Sequence, residues 1–196
     1  MTKRRTEPQR KGFTTRETDL RRRLATREQR RTVLAVTNGE STERAYLEGL
    51  RRERWLAHRL VVAVEKGSPI DAVRGAARRR DDNDFDQAYV VCDVDHFPPA
   101  ESEREARRHD VTLLWSNPCF EVWLILHLDT CTRHLENAEK AKELLRRYLR
   151  NWDKTRLDFD DFRDGLDAAV ERAQRLSDRP EANPSTMVWR LVLALR

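Results

Sequence analysis

The chain is poor in the residues that anchor several common chemistries. Among 196 residues there are three cysteines, Cys92, Cys119 and Cys131, widely spaced and with no CxxC. That count supports neither a disulfide framework nor a cysteine zinc site, and the expectation is buried free thiols. Glycine is scarce, six in all, and no GxxxxGK[ST], GxGxxG or GxSxG occurs. A P-loop, a dinucleotide fingerprint and a nucleophile elbow are therefore excluded. No apolar run approaches the roughly 20 residues of a membrane span. No apolar stretch follows the N-terminal charges, so the start does not read as a signal peptide. The expectation is a soluble, cytoplasmic protein.

What is abundant is charge, 37% of residues, with a net of +5. It is unevenly spread. Residues 1–31 hold 12 Lys/Arg and 4 Asp/Glu, a balance of +8, which leaves −3 for the rest. The basic character belongs to an N-terminal arm with almost nothing to bury. Two readings of the arm stand side by side. Clustered Arg/Lys bind phosphate backbone or an acidic partner through counterion release, or they merely solubilise.

From residue 32 the apolar pattern changes to an alternation. "TVLAVT", "LVVAV", "QAYVVCDVD" and "VTLLWS" read as short buried strands. Between them "STERAYLEGLRRERW", "SPIDAVRGAARRRDD" and "PAESEREARRH" read as helices, the second opened by Ser68 and Pro69. Strand and helix in turn, over 32–116, predict an α/β core with a largely parallel sheet. Four later segments, "CFEVWLILHL", "NAEKAKELLRRYLRNW", "DFDDFRDGLDAAVERAQRL" and "STMVWRLVLAL", read as helices. They predict a helical extension over 117–196, packed on the core.

In such sheets ligands bind outside the carboxyl ends of the strands. Asp93 and Asp95 end the third strand, and residues i and i+2 of an extended segment project to one side. Two carboxylates held that close favour a cation between them, and oxygen ligands suit Mg²⁺ or Mn²⁺. The plainer reading is an Asx turn after a strand. Glu40, beyond the Asn38-Gly39 turn of the first strand, tips the balance toward metal. Gly39 fits a position of positive φ or of close backbone approach. Glu121, near the start of a helix after Asn117-Pro118, either adds a carboxylate or complements the helix dipole. His127 reads as a packed histidine rather than a ligand, and His96 as a loop residue. Lys154 in "NWDKTR" is either a surface lysine or a phosphate neighbour.

Taken together, "LAVTNGESTERAYLEGL", "VVCDVDHF", "SNPCFEVWLILHL", "WDKT" and "NPSTMVWRLV" resemble the RloB-like proteins of the broader Toprim-like group. The resemblance runs from about residue 32 to the C-terminus. It implies a small parallel sheet sandwiched by helices, with Glu40 as general acid/base and Asp93 and Asp95 holding Mg²⁺. By analogy with overcoming-lysogenization-defect nucleases, Glu121 is implied as a further metal ligand and Lys154 as a contact to the scissile phosphate. It further implies phosphodiester cleavage of DNA or RNA in phage defence, beside an ATPase partner. One departure stands out: the first turn reads "TNGES", with Asn38 where relatives carry an acid, which weakens a second metal site. The competing expectation is a non-catalytic subunit that binds nucleic acid or the ATPase. A small-molecule phosphohydrolase is a distant third.

Overall fold

The computed structural model describes residues 30–94, 97–150, 152–153 and 155–196. The N-terminal arm up to residue 29, Asp95, His96 and Lys154 lie outside the described residues. Five strands form one sheet in the order β2-β1-β3-β4-β5. They are β1 (Thr32–Thr37), β2 (Arg59–Val64), β3 (Gln87–Asp93), β4 (Thr112–Asn117) and β5 (Ser185–Thr186). The first four are parallel, and β5 runs antiparallel to β4. The α/β architecture, a small mostly parallel sheet between helices, is the one the sequence pattern implies.

β1 and β3 are buried on both faces, which is why they read as unbroken apolar runs rather than as alternation. Three connections join the parallel strands through α1 (Thr42–Leu50), α2 (Pro69–Asp82) and α3 (Pro99–Arg108). The path steps from β1 outward to β2, then back across β1 to β3 and on to β4. With crossovers of one hand, α1 must lie on one face and α2 and α3 on the other. α2 begins in a capping box: Asp71 N–H donates to the Ser68 hydroxyl oxygen, and the Asp71 carboxylate accepts from Ser68 N–H. Its inward residues Ala72, Gly75, Ala76 and Ala77 are small, which brings its axis close to the sheet.

The remaining helices cover the α1 face. α4 (Glu121–Leu128) is apolar on every side and nearly all buried, the mark of a central helix. Around it lie α5 (Ala138–Tyr148), α6 (Asp160–Arg163) and α7 (Leu166–Arg175), while α8 (Val188–Ala194) packs on α7 and β4. One continuous core runs from Val33 on β1 to Leu195. Two readings of the C-terminal part are corrected here. Ser185 and Thr186, expected to be helical, form β5. The Ser116 and Thr186 hydroxyls share a buried 2.9 Å hydrogen bond there. The helix expected across "DFDDFRDGLDAAVERAQRL" breaks at Asp164-Gly165, where the backbone meets the His127 carbonyl too closely for any Cβ.

Candidate carboxylate site at the carboxyl edge of the sheet

β1 and β3 are neighbours whose chains leave in opposite directions, toward β2 and toward β4. Their carboxyl ends therefore flank the topological switch point, the place where an open α/β sheet leaves a crevice. Three carboxylates are delivered there by three elements. Asp93 is the last residue of β3, in register with Ser116 of β4. Glu121 is the first residue of α4, which follows β4. Glu43 sits in the first turn of α1, which follows β1.

Glu43, one of the acids in the first turn of that helix, is as buried as a core residue, at 7% exposure, with Glu121 at 5%. Its carboxylate lies against the Gly39 backbone. A Cβ on Gly39 would sit 2.6 Å from the Glu43 carboxylate carbon. Of the two roles open to this glycine, close approach is the one found, since its φ is not positive. At the strand end, the Thr37 hydroxyl donates to the Gly39 carbonyl at 2.7 Å and holds the turn.

Burial pushes the Glu43 carboxyl above the usual carboxylate range; a backbone N–H opposes the shift and the charge of Glu121 adds to it. The two thiols nearby report the same cluster. Burial raises Cys92 well above its ordinary range, with Asp93 and Glu43 adding to the rise. Burial likewise raises Cys119, with Glu121 and Asp93 adding. Glu121 thus bears on Glu43, and Asp93 shares one buried thiol with each of them. All three cysteines are free and buried, as expected.

Glu40 stands apart from this group. It is exposed at the rim and pairs with Lys66 just beyond β2, Nζ to Oε1 2.6 Å. His127 takes the packed role. With the proton on Nδ1, it donates to the Phe162 carbonyl at 2.6 Å, and Nε2 accepts from the Tyr46 hydroxyl at 3.0 Å. The Tyr46, Trp123 and Phe162 rings meet it edge-on. This contact ties α1 to α4, and so fixes Glu43 relative to Glu121. The signal for Glu43 was present in "NGESTE": a glycine four residues before an acid on the same turn.

Glu43 and Glu121, buried and of like charge, and half-buried Asp93 are oxygen donors of the kind that suits a hard divalent cation such as Mg²⁺. Among the described residues, no group of three or more His, Cys, Asp or Glu side chains is arranged to hold an ion. Asp95, the partner expected for Asp93, lies outside them. No described helix is long and apolar enough to cross a membrane.

No curated protein matches the chain, and neither does any solved structure. A family model does, that of RloB-like proteins, over residues 33–195. The match takes in the sheet, the acidic edge and the surrounding helices alike, and the chain belongs to the RloB-like family.

Proposed function

We propose that the protein is a divalent-metal-dependent nuclease of Toprim type, cleaving phosphodiester bonds of DNA or RNA as a phage-defence effector beside an ATPase partner. The observation that supports this is the placement of Asp93 at the end of β3, with buried Glu43 and Glu121 at the starts of the helices that follow β1 and β4, beside the switch point of the sheet. Glu43, Asp93, Asp95 and Glu121 would hold Mg²⁺ or Mn²⁺. Bound there, the cation would neutralise charge on a phosphate oxygen and orient the attacking water.

The chain's own side chains set the rest. Gly39 and the Tyr46–His127 contact hold Glu43 and Glu121 in place before any ligand arrives, which lowers the ordering cost of binding. Glu40, open to solvent at the rim, is the carboxylate placed to exchange a proton with water. Lys154 remains the proposed contact to the scissile phosphate. The basic arm is proposed to hold nucleic acid or the ATPase.

Purified protein, alone and with its ATPase partner, should cut DNA or RNA only when Mg²⁺ or Mn²⁺ is supplied. Asp93→Asn with Glu121→Gln should abolish cutting while circular dichroism shows the fold intact. Full cutting by that double variant would remove the assignment. A second reading, a non-catalytic subunit that docks on nucleic acid or an ATPase, takes its support from Asn38 at the first turn and from Glu40 being held by Lys66. Strand binding with no cutting under any metal would favour it.

A further inference from the structure

The rim of the site carries charges that the buried carboxylates do not explain. Lys66 follows β2 and holds Glu40 at 2.6 Å, with side chains 76% and 60% exposed. A pair so open to water contributes little to folding and exchanges partners readily. Arg44 lies in the first turn of α1, four residues after Glu40. It lines a cavity of about 360 Å³ together with Glu40, Ser41, Ala45, Glu48 and Thr155. Arg44 makes no ion pair with any described residue, and Glu48 in the same cavity is already held by Arg51 at 2.7 Å. Glu40 therefore holds one cation directly and shares a cavity with a second. Cations at such an edge attract a phosphate toward an otherwise acidic site.

We infer that Lys66 and Arg44 form a phosphate subsite for a polynucleotide strand, and that Glu40 rests on Lys66 in the place a substrate phosphate takes. The identity of the ligand rests on the nuclease reading; the cation pair and its resident carboxylate do not. Arrival of a strand exchanges one ion pair for another. Lys66 turns to the phosphate, and Glu40 is released toward the crevice. Binding and cutting should then part ways: Glu40 opposes the first even where it serves the second.

The test uses the full chain and short labelled single strands of deoxythymidine or of uridine, the two arms separating DNA from RNA. Fluorescence anisotropy is read in EDTA, so that no cutting occurs, over a series of salt concentrations. Lys66→Ala and Arg44→Ala should each weaken binding about fivefold at low salt. Each should also flatten the slope of log K against log salt by about 0.7. Glu40→Gln should tighten binding by a similar factor, and Lys66→Arg, which keeps the cation, should bind as the wild type does. Unchanged affinity and slope in both alanine variants would overturn the inference, as would weaker binding by Glu40→Gln or no binding by the wild type. Cutting assayed separately with Mg²⁺ keeps the two ideas apart. Binding that follows this pattern without cutting leaves the subsite standing and removes the nuclease. Cutting with binding indifferent to the substitutions does the reverse.

Discussion

Acid should loosen the joint between α1 and α4 before it disturbs much else. His127 is buried and neutral, and burial lowers its pKa to about 4 against an ordinary 6.5; the hydrogen bond to the Phe162 carbonyl opposes the shift and Arg172 adds to it. Above pH 6.5 the ring is neutral both folded and unfolded, and its contribution is fully present. Below 6.5 the unfolded chain takes up a proton that the folded protein refuses, so stability falls as pH falls, until about pH 4. At about 1.36 kcal/mol per unit the loss reaches about 3 kcal/mol at pH 4, and about 2 kcal/mol by pH 5. With the ring only 4% exposed, no discount for solvent screening applies. Glu43 titrates with the opposite sign, since its raised pKa favours the folded state as pH falls. The effect must therefore be read as a difference. Urea unfolding, followed by tryptophan fluorescence at several pH values from 7 to 5, should be run on wild type and on His127→Gln. The wild type should lose about 2 kcal/mol more than the variant over that range. Parallel curves would refute the assignment of His127 as a buried neutral histidine.

Other outcomes follow from the same geometry. Tyr46→Phe removes the hydrogen bond to His127 Nε2 and leaves a buried acceptor unsatisfied, so it should cost about 1–3 kcal/mol in the same urea assay. Glu43→Gln relieves a buried charge that Glu121 repels. Without metal it should stabilise the protein, seen as a higher melting temperature, while reducing the stabilisation that added Mn²⁺ gives the wild type. Gly39→Ala places a methyl against the Glu43 carboxylate, the movable end of a long side chain. Melting should change little, but calorimetric Mn²⁺ affinity should fall about tenfold, as the displaced ligand no longer faces Glu121.

Much of this was legible in the chain because parallel strands and their helices leave strong local marks. β1, β3 and β4 are apolar runs that tertiary contact only reinforces, and Ser68-Pro69 announces α2 at the observed residue. Glu121 was placed correctly at a helix start near a strand end. β5 was not legible: two residues carry no periodicity, and Ser185 and Thr186 are strand only because Ser116 and Asn117 of β4 lie opposite. The break at Gly165 depends on the His127 carbonyl, some forty residues away in sequence, and no local signal reports it. Glu43 was missed for a related reason. A first-turn glutamate is usually solvent-facing and complements the helix dipole. What makes this one different is the cover of Gly39 and α4, which exists only once the chain has folded. Glu40, the more conspicuous acid beside the glycine, instead pairs outward with Lys66.

The central claim is the proposal that Glu43, Asp93 and Glu121, together with Asp95, bind one divalent cation. Titration calorimetry with Mg²⁺ and Mn²⁺ tests it without presupposing a substrate. The wild type should bind, Glu43→Gln and Glu121→Gln should each weaken binding at least tenfold, and Asp93→Asn with Glu121→Gln should leave none. Binding undiminished in the double variant, or no binding by folded wild-type protein at millimolar metal, would contradict the account.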